Sequence, residues 1–280
     1  MRKLLSLLVF ALWLSAEPRR IVSTAPSFTE TLYAIGAGDR VIGVSVHCHF
    51  PERVKTLPKV GTYIRPNIEA IVRLKPDLVL VHRDQQRVAE QLNRLGIATL
   101  GLTNTGLEDT FTTIREAGAA LNLTGEAMKL EQSIRVRLEA LRRASSGQAG
   151  RSLVFVVGRR PGRLEGLVAV GKGSFLNELI TIAGGRNALA DSPITYPRIS
   201  LEAVLRIDPD VIVDMGDMAE TVGVTEAHKQ EVVKLWQSQN DLKAVITGRV
   251  YAVAADIFVV PGPRMAEAAE EFAKMLQEAR

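Results

Sequence analysis

Part of this chain is written twice. Asn67-Ile-Glu-Ala-Ile-Val-Arg-Leu-Lys-Pro-Asp77 aligns with Ser200-Leu-Glu-Ala-Val-Leu-Arg-Ile-Asp-Pro-Asp210 at an offset of 133. Glu69 and Glu202, Ala70 and Ala203, Arg73 and Arg206, Pro76 and Pro209, and Asp77 and Asp210 are identical pairs. Each copy runs into an aliphatic stretch, Leu78-Val-Leu-Val81 or Val211-Ile-Val213, and the same offset lays Thr62-Tyr63 over Thr195-Tyr196. Ser27-Phe28 with Leu32 also resembles Ser174-Phe175 with Leu179, at an offset of 147. Matches that keep their order along a chain imply duplicated architecture, so two similar lobes are expected.

The pattern within each lobe alternates strand and helix. The run 21–24 reads as a strand, and Ser27-Phe-Thr-Glu30 fits a capping box opening a helix with Phe28, Leu32 and Ile35 on one face, stopped at Gly36. Residues 41–46 return as a strand. Asn67 caps a helix over 68–74, Lys75-Pro76-Asp77 breaks it, and 78–81 is a buried strand. A helix over 88–95 and a strand over 97–100 follow. This alternation predicts an α/β fold with mainly parallel sheets. Between the lobes, 126–143 reads as a single long helix, with an apolar stripe of Met128, Ile134, Leu138 and Leu141 and its charges placed to suit the helix dipole. The division expected is 17–124 for the first lobe, 125–147 for the connecting helix and 148–280 for the second lobe. A helical connector is semi-rigid, so large hinge motion is not expected.

Residues 1–16 read as a cleavable signal peptide. Arg2 and Lys3 precede the apolar run 4–14, and Ser15-Ala16 supplies small residues. The expectation is a soluble, exported protein. Cys48 lies too far downstream to carry a lipid beside the cleavage site, and as the only cysteine it excludes a disulfide framework or CxxC motif. The formal charge of +4 comes without a dense Lys/Arg block, so no nucleic-acid partner is indicated. GxSxG, HExxH and GxxxxGK[ST] are absent, and neither Gly36-Ala-Gly38 nor Gly171-Lys-Gly173 completes GxGxxG. Enzyme signatures are thus absent, and no catalytic cofactor is expected.

Two α/β lobes joined by a helix leave a cleft where ligands of such folds bind. Tyr63 and Tyr196 are the duplicated pair expected to face each other there, each offering a flat apolar face and a hydroxyl to a large planar ligand. Packing within their own lobes is the alternative. Glu69 and Glu202 sit at equivalent places in the capped helices; acids there are favourable without any function, but two matched carboxylates could also dock a basic partner. His47-Cys48-His49 is poorly spaced for a metal site, and no zinc cage is expected. His47 or His82 as a single axial ligand to a metallocofactor is the more plausible role. Cys48 is expected to be buried.

The motifs Ile21-Val-Ser-Thr-Ala-Pro-Ser-Phe-Thr-Glu30, Leu57-Pro-Lys-Val-Gly61, Asn67-Ile-Glu69, Leu74-Lys-Pro-Asp-Leu-Val79, Gly171-Lys-Gly-Ser-Phe175, Ala183-Gly-Gly-Arg-Asn187, Ser200-Leu-Glu202 and Pro263-Arg264 together carry a family resemblance. The chain resembles the helical-backbone class of periplasmic substrate-binding proteins serving ABC importers of cobalamin, haem and ferric siderophores. Gly43-Val-Ser45 and His47-Cys48 followed by Phe50-Pro51 bring it nearest the cobalamin-binding branch. The resemblance implies a corrinoid ligand held at His47, Tyr63, His82 and Tyr196 and contacted by Asp256, with Glu69 and Glu202 docking arginines of the permease. Histidines stand at two aromatic positions, and Val260 stands at an arginine position. These departures leave room for haem, whose binders in this class use a tyrosine near Tyr63 as axial ligand, although Ile64-Arg-Pro-Asn67 differs from the usual haem-branch sequence. A ferric siderophore is a further alternative, with Arg65, Arg198 and Arg264 available to an anionic ligand. An exported enzyme is the remote one.

Overall fold

The computed structural model describes residues 17–147, 150–216 and 224–277; the expected signal peptide, residues 1–16, lies outside them. The elements alternate as anticipated. β1 (Ile21–Ser23), α1 (Pro26–Ala34), β2 (Val41–Val44), α2 (Ile68–Arg73), β3 (Leu78–His82), α3 (Gln86–Arg94), β4 (Ala98–Leu102) and α4 (Leu107–Ala120) build the first half. α5 (Thr124–Ser145) follows. The second half comprises β5 (Ser152–Gly158), β6 (Leu167–Ala169), α6 (Phe175–Ile182), β7 (Arg186–Asn187), β8 (Arg198–Ile199), α7 (Leu201–Ile207), β9 (Val211–Asp214), α8 (Glu226–Gln237), α9 (Lys243–Ile246), β10 (Val250–Ala252) and α10 (Met265–Gln277).

The first sheet runs β2-β1-β3-β4 and every pairing in it is parallel. The second runs β10-β9-β5-β6-β8, with β7 beside β5. Its β10, β9, β5 and β7 are parallel, whereas β6 pairs antiparallel with β5 and β8. The fold is α/β, and the mixed edge is where the second sheet departs from the first.

The sequence repeat has a backbone counterpart. Asn67 and Ser200 cap α2 and α7 by accepting from Ala70 N and Ala203 N, at 3.0 and 3.3 Å. Lys75 and Asp208, which share the offset of 133, both end their helix turn at positive φ, 49° and 45°. Asp77 accepts from the amides of Arg19 and Arg20 just before β1, and Asp210 accepts from Ser152 N at 2.8 Å where β5 begins. Each carboxylate ties the break after a short helix to the first strand of its own sheet. That explains why Pro-Asp recurs as a unit.

Two expectations change. Ser27 and Glu30 form no capping box: the N-cap of α1 is Ala25, with a proline at the first turn. Pro26 at the first helical position leaves one fewer unpaired amide and its fixed φ is already helical, so the helix starts without a side-chain cap. Ser27 and Glu30 are released for contacts elsewhere. Second, α4 lies where the sequence reading placed no helix. Thr110, Thr112, Thr113 and Gly118 are weak helix formers, and the element is secured by packing on α5.

One apolar core passes through both halves. Phe28 and Leu80 of the first, Phe111 of α4, Ile134 and Leu138 of α5, and Phe155 and Phe272 of the second belong to a single buried cluster. Polar bonds cross the same boundary. Glu30 of α1 takes a bidentate pair from Arg264 at 2.9 and 2.5 Å, Leu107 N donates to Glu178 Oε1 at 3.1 Å, and Thr110 Oγ1 donates to Pro261 O at 3.3 Å.

Candidate functional site

The carboxyl ends of β1, β3 and β4 converge, the place where parallel α/β sheets leave room for ligands. Ser27 follows β1, His82 ends β3 with Asp84 just beyond it, and Asn104 follows β4. They form one hydrogen-bonded chain. His82 Nδ1 meets Asp84 Oδ1 at 2.5 Å, His82 Nε2 meets Asn104 Oδ1 at 3.0 Å, and Asn104 Nδ2 donates to Ser27 Oγ at 2.9 Å. Behind it the Phe28 ring stacks on the imidazole.

Tyr63 is delivered by a tight loop. Gly61 has φ of 94°, a conformation that side chains strain against, and a Cβ there would press on Arg65 O and Asn67 N. The Thr62 amide donates to Arg65 O, and Arg65 N donates to Thr62 Oγ1. Gln85 Nε2 donates to Tyr63 O at 2.6 Å, while the Tyr63 ring stands edge-on to His82 with centroids 5.7 Å apart. In the second half, the Gly171 amide donates to Thr195 O at 2.8 Å, and a Cβ on Gly171 would collide with Ile194 O. That close approach lays the Thr195-Tyr196 loop down beside Phe175, which follows the Ser174 cap of α6.

Residues of both halves enclose a cleft of about 510 Å³ lined by Pro26, Ser27, Tyr63, His82, Asp84, Asn104, Thr105, Phe175, Thr195, Tyr196, Val259, Val260 and Pro261. This lies within the range of small-molecule sites. No lysine or arginine is among the lining residues. Burial, and then the Asp84 charge, push the Tyr63 hydroxyl above its usual range, and burial does the same to Tyr196. Both phenols are therefore held in the neutral form.

Tyr63, His82 and Tyr196 line this cleft; His47 and Asp256 are not among its lining residues. His47 is exposed on the turn after β2, and Asp256 opens a 3-10 turn from which its charge acts on Glu30 and Arg264. Both ring nitrogens of His82 already have partners, so an axial bond to a metal would break this chain. Arg264, offered above to an anionic ligand, is committed to Glu30 and covers the Phe50 ring at 4.0 Å. Val260 lines the cleft as an apolar residue. Among the described residues no cluster of three or more His, Cys, Asp or Glu is arranged to hold a metal ion. Cys48 is buried, as expected. Glu69 and Glu202 occupy the first turns of α2 and α7, away from the cleft lining, and both are exposed. Hydrogen bonds around the Ser200 cap hold the Glu202 carboxyl below its usual range.

Asp84, Gln85 and Asn104 escaped the sequence reading. Their signal was positional: each follows the carboxyl end of a predicted strand by a few residues.

The sequence profile of the family described as periplasmic binding protein matches residues 21–257. An uncharacterised ABC transporter substrate-binding lipoprotein of Bacillus subtilis is 30% identical over 93% of this chain and 80% of its own length. The crystal structure of the periplasmic vitamin B12 binding protein BtuF of Vibrio cholerae superposes with a TM-score of 0.77 at 27% identity, covering 93% of this chain and 97% of that one. The periplasmic heme-binding protein RhuT from Roseiflexus superposes with a TM-score of 0.76 at 25% identity, covering 92% and 99%.

Proposed function

The chain belongs to the periplasmic binding protein family, whose members are solute-binding proteins, and from that premise we propose that it captures a corrinoid and delivers it to an ABC importer. The observation that carries this reading is the character of the cleft: two tyrosines, a phenylalanine, a histidine and uncharged polar groups, with Asp84 its one carboxylate and no lysine or arginine. An uncharged, flat ligand with many hydrogen-bonding substituents suits such walls. An anionic ligand, such as haem with its two propionates or a ferric siderophore with net negative charge, would enter without a lysine or arginine to meet it.

In this reading Tyr63 and Tyr196 hold the ring faces, His82 contributes its edge, and His47 and Asp256 contribute polar contacts only with rearrangement of their surroundings. The two sheets with α5 between them act as lobes 17–124 and 148–280 about the connector 125–147. Residues 1–16 direct export to the periplasm, where the protein works as a monomer. Glu69 and Glu202 dock arginines of the permease from equivalent, exposed positions.

Separate titrations with cyanocobalamin and haem, followed by calorimetry and absorption spectra, test the ligand. Heat with the corrinoid and no Soret shift with haem is expected; the reverse overturns the assignment. Tyr63→Ala/Tyr196→Ala should weaken corrinoid binding at least tenfold, roughly the loss of two aromatic contacts. Glu69→Ala/Glu202→Ala should leave affinity unchanged while impairing uptake by cells carrying the matching importer. Loss of ligand binding in that variant would move the acids into the ligand site.

A further inference from the structure

Asp84 is the only aspartate or glutamate among the residues lining a cleft that has no lysine or arginine. Its Oδ1 is taken by His82 Nδ1, its only ion pair among the described residues, and no hydrogen bond among them uses its Oδ2. Arg83, its neighbour in sequence, is turned to Gly101 O and to Glu116 at 2.7 Å. The carboxylate is thus anchored by one oxygen, carries its charge without a lysine or arginine partner, and offers the other oxygen to whatever enters. The Asp84 side chain is 73% exposed, which sets it at the rim of the cleft, where the periphery of a large ring would lie.

A carboxylate accepts a hydrogen bond from an amide N–H and repels a second carboxylate. We infer that Asp84 selects for macrocycles whose rim carries carboxamides over those whose rim carries carboxylates. The inference rests on the corrinoid reading and deepens it, because a corrinoid periphery bears primary amides where a porphyrin bears acids. His82 holds the carboxylate in place for this contact. Exposure to solvent limits the effect to about fivefold in affinity, and salt screens it.

Two matched pairs of probes test this: cyanocobalamin against its separated monocarboxylates from mild hydrolysis of a peripheral amide, and haem against its bis-amide. Affinities are measured by calorimetry for the wild type, Asp84→Asn and Asp84→Ala, with thermal melts to establish that the variants fold. The wild type should bind cyanocobalamin about fivefold tighter than at least one of its monocarboxylate isomers, and any binding in the haem pair should favour the bis-amide by a similar ratio. Both variants should bring that ratio close to one, as should about 1 M salt. A ratio unchanged by both substitutions, or no amide preference in the wild type, overturns the inference. If cyanocobalamin fails to bind while the haem pair shows the ratio and its loss in the variants, the corrinoid reading falls and the role of Asp84 stands. If no probe binds, both fall.

Discussion

Cys48 illustrates how surroundings decide what a residue can do. Its thiol lies 3.2 Å from Thr29 Oγ1 in the core, and burial pushes its pKa to about 11. The thiolate is the reactive form, so this cysteine should be inert. Native protein treated with a thiol-specific disulfide reagent at pH 8 should show almost no reaction, and one equivalent should react after denaturation. Rapid labelling of the native state would mean that the region opens far more readily than its packing implies. Gln85 is a second case. Its Nε2 holds the Tyr63 carbonyl, while its Oε1 is buried with no partner among the described residues. The side chain keeps that arrangement at the cost of one unsatisfied acceptor, and the site gains a fixed tyrosine loop.

The short helices α2 and α7 depend on their caps. Six or seven residues cannot form a stable helix alone, so the Asn67 and Ser200 side chains, the breaks that follow and the packing on the sheets hold them. Asn67→Ala and Ser200→Ala should each cost about 1 kcal/mol. Denaturant unfolding followed through Trp236 fluorescence measures this, since that indole is fully buried and donates to Asp214 Oδ2 at 2.6 Å. Equal losses are expected because the two sites are matched in sequence and in hydrogen bonding. A loss confined to one of them would show that the repeat no longer has equal mechanical weight in the two halves.

At the level of the molecule, the Glu30–Arg264 pair joins the halves through the interior. Burial pushes the Glu30 carboxyl up, against the guanidinium that holds it down. Removing Arg264 leaves that acid buried without its partner, so Arg264→Ala should cost about 3–5 kcal/mol near neutral pH. The folded pKa of Glu30 lies above its unfolded value, so the penalty applies at high pH and is relieved as pH falls through the folded pKa. The loss in Arg264→Ala should accordingly shrink in mild acid; a loss independent of pH would point to packing against Phe50 instead. Other carboxyls set the opposite trend. Arg135 holds Glu108 low and Arg137 holds Glu270 low; burial pushes Asp210 up, but hydrogen bonds from Ser152 outweigh it and keep it low. Their contribution is present above the unfolded carboxyl range and is lost as pH drops through the folded values. Substituting Glu108 and Glu270 by glutamine should therefore flatten the decline of melting temperature in acid.

The sequence by itself determined the α/β class, the duplicated capped helices and the tyrosines of the cleft. These features rest on local patterns: aliphatic runs, cap residues, a Pro-Asp break and a repeat that survives in backbone dihedrals at Lys75 and Asp208. Only the tertiary structure decided that α4 is a helix, that Ser27 and Glu30 turn away from a capping box, and that Asp84, His82 and Asn104 form one chain at the cleft. Weak helix formers become a helix when a neighbouring helix buries their face, and an acid chooses between a nearby amide and a distant guanidinium according to which is desolvated beside it. Such choices are made by groups far apart in the chain, and a linear reading has no distance by which to rank them.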